Sequence, residues 1–221
     1  MLGQLEENFT GGWVLIGGLM VYLLGAEAGQ SPKRVTVDAD VLVRARVLTT
    51  GTRDISAWLV KHGLEFEGAN ALDQGHRFSG GGVSVDVLLP GGIGERAERR
   101  TVGQNVTVEV VGGPGLLHAG ELVRVAYRDE DSALIPRPAL DAAIVGKAKA
   151  ATRLEDAQRH CQDIAFLLGL VEDPLAMSGL LSAANRGVIA EAALEVTKHE
   201  AWSYAISEPA ARAAVRILGR A

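Results

Sequence analysis

The sequence has little cysteine, few aromatic side chains and no apolar run long enough to cross a membrane. The single cysteine, Cys161, excludes an internal disulfide and fits a reducing compartment. The apolar stretch 13–25 is too short for a membrane span, contains Gly17-Gly18 and follows two glutamates instead of basic residues. We therefore expect a cytoplasmic protein that does not associate with membranes.

An excess of positive charge is also missing. The chain carries 22 Lys and Arg against 27 Asp and Glu, for a formal net charge of −5. A strongly basic face is the usual electrostatic sign of a nucleic-acid partner, so the overall balance does not favour one. With 221 residues, 48% apolar and 22% charged, the composition is that of an ordinary globular protein of one sizeable or two small domains.

The pattern of the chain changes near its Pro136–Pro138 segment. Short apolar strands and turns precede this segment, and amphipathic helical patterns follow it. We expect an α+β fold, with a core of a mixed sheet flanked by helices over residues 1–136 and a helical C-terminal bundle over 137–221. The predicted strands are 14–16, 35–43, 83–89, 106–111 and 122–127, and the predicted helices are 19–28, 55–62, 154–170, 175–184, 187–199 and 208–218.

Two aspartates lie two residues apart in the predicted strand 35–43. Because side chains of a strand alternate between its faces, Asp38 and Asp40 share one face. Two carboxylates on a mostly apolar strand repel each other and lose hydration unless a cation neutralises them. Their spacing suits Mg²⁺, which is usually held by one or two carboxylates and by substrate phosphates. A solvated pair at the end of a strand is the alternative.

A glycine pair precedes this strand. We predict a short strand over 14–16, a turn at Gly17-Gly18 and then a helix. Paired glycines allow close approach of the backbone to a ligand, and a helix start presents N–H groups and a positive dipole end to phosphate.

Together these segments resemble a known superfamily, the DNA polymerase β-like nucleotidyltransferases. The nearest branch is the AbiEii/MenT-like nucleotidyltransferase toxins of bacterial type IV toxin–antitoxin systems. Members show an apolar strand, Gly-Gly or Gly-Ser, a helix and then Arg-x-Ser/Thr-x-Asp-x-Asp. The positions that match this pattern are Gly17, Gly18, Arg34, Thr36, Asp38 and Asp40.

A third carboxylate follows in the expected order. Asp86 alternates with Val83, Val85 and Val87 in a predicted strand that follows a turn at 79–82. The resemblance implies that Asp86 completes the metal site with Asp38 and Asp40 and can act as general base. An outward-facing strand residue is the alternative.

The resemblance extends to a helical segment after residue 138. Lys147, Arg153 and Asp163 approximately match a Lys–Arg helix that is followed by an Asp-x-x-Asp-Leu segment, whereas His160 stands where the first of those aspartates often lies. The family match implies a catalytic role for Lys147 toward phosphate and nucleotide-binding roles for Arg153 and Asp163. A solvated helix face is the alternative for the two cations.

The resemblance implies a Mg²⁺-dependent enzyme that transfers nucleotides from a nucleoside triphosphate to the 3′ end of tRNA, and a separately encoded antitoxin. It assigns nucleotide binding to Gly17, Gly18, Arg34 and Thr36. Two alternatives remain open, an antibiotic-modifying type of nucleotidyltransferase and a non-catalytic binding module of the same fold.

Overall fold

The computed structural model describes residues 1–94, 97–127 and 131–220, which form two compact units. The first unit contains Met1–Leu19 and Val37–Pro138, and the second contains Met20–Thr36 and the chain from Ala139 onward. Residues 20–36 thus belong with the C-terminal helices, whereas the predicted division at 136–137 grouped them with the N-terminal part.

The first unit is built on a mixed sheet with short helices. Its helices are α1 (Leu2–Asn8), the start of α2 (Gly17–Glu27), α3 (Gly51–Lys61) and α4 (Gly113–His118). Its strands are β1 (Trp13–Ile16), β2 (Asp38–Val43), β3 (Glu65–Phe66), β4 (Arg77–Gly80), β5 (Val83–Pro90), β6 (Glu109–Val110), β7 (Gly120–Ala126) and β8 (Ser132–Pro138).

The larger sheet has the order β1-β2-β5-β4-β3, and β6 pairs with β5. Strands β2 and β5 are parallel, as are β5 and β6, whereas the other neighbours are antiparallel. Strands β7 and β8 form a separate antiparallel pair. The predicted α+β class with a mixed sheet and a helical C-terminal part is confirmed.

The predicted strand 35–43 is too long at its start. Asp38 is the first residue of β2 and pairs with Ser84 of β5. Val35 and Val37 precede the paired segment and are 83% and 73% exposed. A β-branched sequence favours strand conformation, but a strand also needs a partner, and the ladder of β2 begins only at Asp38.

The hairpin before Asp86 is tighter than predicted. The turn contains only Gly81 and Gly82, with φ of +59° and +79°, and Gly80 pairs directly with Val83. Positive φ at both central residues is the requirement of a type I′ turn, which glycine meets without steric strain. The hairpin therefore has a fixed register.

The second unit is helical. Beside the later part of α2 it contains α5 (Leu140–Arg153), α6 (Ala157–Leu168), α7 (Pro174–Leu180), α8 (Ala183–Lys198), a short 3₁₀ turn (Ala201–Tyr204) and α9 (Glu208–Leu218). Met20, Val21 and Leu24 of α2 are buried in one apolar cluster with residues of α5, α6, α8 and α9. Gly25 lies so close to Phe166 that a Cβ at position 25 would be 2.7 Å from that ring. No helix within the described residues is long and apolar enough to cross a membrane.

Candidate active site

Three predicted carboxylates lie on one face of two neighbouring strands. Asp38 and Asp40 alternate along β2 and therefore point to the same side. Asp40 is the register partner of Asp86 on the parallel strand β5, which gives the two side chains the same direction. The Asp86 side chain is only 8% exposed, whereas that of Asp38 is 42% exposed. The structure thus brings Asp38, Asp40 and Asp86 together, with Asp86 the most enclosed.

Arg77 occupies the same face and was missed by the sequence analysis. It is the register partner of Asp86 in the β4–β5 hairpin. Its Nε and Nη2 donate to Asp86 Oδ1 and Oδ2, each at 2.8 Å, and Nη2 lies 3.8 Å from Asp38 Oδ2. The hydrogen bonds to Asp86 raise the pKa of Arg77, so the guanidinium is firmly charged. The position was accessible from sequence, because counting outward from a two-residue Gly81-Gly82 turn pairs residue 77 with residue 86.

A histidine lies beside the same carboxylate. His76 Nε2 is 3.9 Å from Asp86 Oδ2, and its Nδ1 is buried without a hydrogen-bond partner among the described residues. Asp86 is therefore enclosed by two nitrogen-bearing side chains from the β4 end of the hairpin. Neither was a candidate in the sequence analysis, because the pattern around Gly81-Gly82 indicated a turn of four residues.

Gly17 fits closely against Asp40. It has a φ of +73°, and a Cβ at this position would lie 1.6 Å from Asp40 Oδ2. Ile16, the residue before it, is the register partner of Asp40 on β1. Gly18 follows as a buried residue in the first turn of α2. Glycine is thus required at position 17 both for backbone conformation and for the space that the carboxylate occupies.

We expect Gly17→Ala to lower the free energy of unfolding by more than the cost of placing alanine at a positive φ. Gly11 is a matched control, because its φ is +68° and a Cβ there would meet nothing within 4 Å. Each alanine should cost about 1–3 kcal/mol for the left-handed backbone, and only Gly17→Ala should add the cost of displacing a carboxylate. Urea unfolding of both variants measures the difference. Equal losses would contradict the close approach of Gly17 and Asp40.

In the second unit, two predicted cations meet on one carboxylate. Asp163 of α6 is buried and accepts from Lys147 Nζ of α5 at 2.6 Å. Arg34 donates to the same carboxylate through Nε at 3.0 Å and Nη2 at 3.2 Å. Burial alone would raise the pKa of Asp163, but the charge of Lys147 and the hydrogen bond and charge of Arg34 hold it below its ordinary value. Lys147 is not on a solvated helix face, since its side chain is 8% exposed.

The lowered pKa of Asp163 makes a prediction for stability against pH. A carboxyl group with a depressed folded pKa stabilises above its unfolded pKa of 3.8, and this contribution is lost as pH falls through the folded pKa. We expect the difference in unfolding free energy between wild type and Asp163→Asn to be constant between pH 5 and 7, by the same linkage. It should then narrow at pH below about 3.8. Urea unfolding across this range measures the gap, and a gap that persists into acid would contradict the ion pair.

Two further side chains on α6 lie next to this cluster in sequence. Burial and the charge of Lys147 lower the pKa of His160 to about 4, and both of its ring nitrogens lack a hydrogen-bond partner within the described residues. His160 is therefore neutral near pH 7. Burial also raises the pKa of Cys161 to about 11, so this thiol is not a nucleophile at neutral pH.

Two further predicted site residues, Thr36 and Arg153, are less buried than Lys147 and Asp163. Thr36 is half-buried in the segment before β2, outside the strand that was predicted to contain it. Arg153 is the last residue of α5 and is exposed.

The residues present fit a magnesium ion in part. Two carboxylates on one strand face are a donor set that Mg²⁺ uses together with substrate phosphates. Over residues 1–94, 97–127 and 131–220, however, no group of three or more His, Cys, Asp or Glu side chains is arranged to hold a metal ion. Asp86 is instead held by Arg77 through both oxygens. The pair Asp38 and Asp40 is the part that fits, and the metal-ligand role of Asp86 stays a prediction.

The fold and these residues define the class: an α+β protein with an acidic face across two parallel strands of a mixed sheet. No protein-family model matches the sequence, and no curated protein matches it. Among solved structures, the chain is similar to an antigenic nucleotidyltransferase-like protein from Paracoccidioides brasiliensis, with 13% identity and a TM-score of 0.48. The alignment covers 93% of this chain and 92% of that one.

Proposed function

We propose that the protein is a Mg²⁺-dependent nucleotidyltransferase that transfers nucleotides from a nucleoside triphosphate to an RNA acceptor. The observation that carries the proposal is the register of β2 and β5, by which Asp38, Asp40 and Asp86 lie on one face of these two strands. The sequence resemblance described above gives this face its proposed chemistry.

Asp38 and Asp40 would hold the ion. When bound, Mg²⁺ supplies charge neutralisation and orientation of the triphosphate. Asp38 is the more accessible of the acids that contact Arg77, which suits a ligand that must share the ion with a substrate. The roles of Asp86 as metal ligand or general base stay predictions. Either role requires exchange of its paired hydrogen bonds with Arg77.

The glycine pair would let the triphosphate approach the backbone. Gly17 leaves the Asp40 carboxylate room beside the start of α2, an 11-residue helix whose first N–H groups have no intrahelical acceptor. We propose nucleotide-binding roles for Gly17 and Gly18 on this ground.

The sequence resemblance alone supports several further roles. It gives Lys147 a catalytic role, and it gives nucleotide-binding roles to Arg34, Thr36, Arg153 and Asp163. Asp163 neutralises Lys147 and Arg34 in the described structure, so Lys147 can act on a phosphate only by sharing or leaving that carboxylate. We propose that Asp163 positions both cations.

In the cell, we propose that the acceptor is the 3′ end of tRNA and that the modification blocks translation, so that the protein is a toxin with a cognate antitoxin. The test is incubation with Mg²⁺, each labelled nucleoside triphosphate in turn, and total RNA. Label on a tRNA-sized band is the expected result. Label on no RNA with any of the four nucleotides would contradict the proposal.

A non-catalytic binding module is the second candidate, and Arg77 is the observation that favours it. Its guanidinium already neutralises Asp86 and lies near Asp38, which is what a protein without a metal would need. Binding of a non-hydrolysable nucleoside triphosphate separates the candidates. The enzyme should bind it more tightly with Mg²⁺ than without, and Asp38→Asn should remove this difference, whereas a metal-free module should show none.

A further inference from the structure

A cavity of about 240 Å³ lies in the first unit, at the carboxyl ends of two parallel strands. Its walls include Arg44 and Arg46, which follow the end of β2, and Pro90, the last residue of β5. Leu117 and His118 of α4 also line it. The outer edge of a sheet beyond the carboxyl ends of parallel strands is a common location for ligand sites in α/β proteins.

Two arginine side chains give the cavity wall positive charge. Arg44, Arg46 and His118 line it, and the described lining residues include no carboxylate. Arg44 is well enclosed: its Nη2 would be 2.3 Å from a Cβ at Gly120, and its Nε is buried with no hydrogen-bond partner among described residues. Burial raises the pKa of Glu6, and the charge of Arg44 opposes this shift. Guanidinium groups form charge-assisted hydrogen bonds with oxyanions, so the two arginines of the wall favour an anionic ligand.

The rest of the wall is apolar, with Val47, Pro90 and Leu117 among its members. Cavities that take small molecules typically combine such a surface with a few convergent polar groups. At about 240 Å³ this one suits a ligand smaller than a typical drug.

We infer that this cavity binds a small oxyanion attached to an apolar body, namely a phosphomonoester or carboxylate with an aromatic or branched aliphatic group. The guanidinium groups would pair with the oxyanion, and the apolar body would lie against Leu117 and Pro90. Arg44 directly follows β2 and is four residues beyond Asp40, about 13 Å at the rise of a strand. The inference is therefore independent of the acidic face and of the function proposed for it.

The experiment is calorimetric titration of the full chain with phenyl phosphate, benzoate, inorganic phosphate and phenol. We expect saturable binding of phenyl phosphate, benzoate or both, and the preferred one identifies the oxyanion. Inorganic phosphate and phenol should bind at least about tenfold more weakly, since each lacks half of the recognised chemistry. Binding of phenol as tight as that of both anions would overturn the inference. So would the absence of saturable binding by both anions, or equal binding of inorganic phosphate and phenyl phosphate.

Two variants locate the binding without disturbing the core. Arg46→Gln removes an exposed cation from the wall, and Val47→Asp places a negative charge there on a side chain that is 69% exposed. Each should weaken binding about tenfold. Val60→Asp is the matched control, because Val60 is an exposed valine of the same unit that does not line this cavity. Unchanged binding in both wall variants, or equal loss in the control, would overturn the assignment. Asp40→Asn should bind the anion as wild type does.

Discussion

Asp40→Asn is expected to reduce nucleotide transfer by roughly a thousandfold or more. The substitution removes a negative charge that would hold the Mg²⁺ ion on the transferring phosphate. The fold should persist. Asparagine has the shape of aspartate, and the substitution lowers the repulsion among the carboxylates of β2 and β5. Transfer of labelled nucleotide to RNA measures activity, and urea unfolding measures stability. Asp38→Asn should behave in the same way.

The control for Asp40 is Asp156→Asn, which alters an exposed aspartate whose partner is Arg159 on the surface. It should leave both activity and stability near wild type. Near-normal transfer by Asp40→Asn would show that the acidic face is not the active site.

The same variant tests the proposed role in the cell. Expression of wild type should arrest bacterial growth, and expression of Asp40→Asn should be harmless. Growth arrest that survives the loss of Asp40 would contradict a toxin that acts by transfer. Unimpaired growth together with aminoglycoside resistance would instead support the antibiotic-modifying alternative.

Lys147→Met is expected to lower the free energy of unfolding by about 3–5 kcal/mol, the usual cost of removing one partner of a buried ion pair. The ammonium and Asp163 are both nearly inaccessible, and Arg34 alone would remain to neutralise the carboxylate. Lys147→Arg should recover only part of this loss, because a planar guanidinium does not fill the space of a compact ammonium. Urea unfolding at pH 7 measures all three proteins.

Lys149→Met is the matched control, with the same substitution two residues along α5 at a half-buried position. It should change stability by less than about 1 kcal/mol. If Lys147→Met keeps wild-type stability but loses transfer, Lys147 acts on phosphate and not as a structural partner of Asp163. If it loses stability and the remaining folded protein transfers nucleotides normally, the catalytic role is excluded.

The carboxylates illustrate which parts of the site follow from sequence. The common face of Asp38 and Asp40 follows from strand alternation, which is a local property. The pairing of Asp40 with Asp86 depends on the register of two strands that the chain connects through α3 and a hairpin, and local pattern does not specify it. Arg77 shows an intermediate case, because only the assumption of a four-residue turn hid its pairing with Asp86.

The second unit shows what sequence pattern could not provide. The helical character after residue 138 follows from apolar periodicity, and α9 begins and ends where it was predicted. The contact between Arg34 and Asp163 could not be deduced from apolar periodicity. The two residues are 129 positions apart, and periodicity describes only local structure. Local pattern likewise predicted a strand at Val35 and Val37. In the structure these two residues lie in the segment between Arg34, which binds Asp163, and Asp38, the first paired residue of β2.

The discontinuity of the second unit has a consequence for synthesis on the ribosome. Residues 20–36 leave the exit tunnel early, but the helices that bury Met20, Val21 and Leu24 follow only after residue 139. Until then α2 exposes apolar side chains, and Arg34 has no access to Asp163. A nascent chain or a truncated product that ends near Pro138 therefore carries a helix with exposed apolar side chains. Such a helix makes it a substrate for chaperones and proteases.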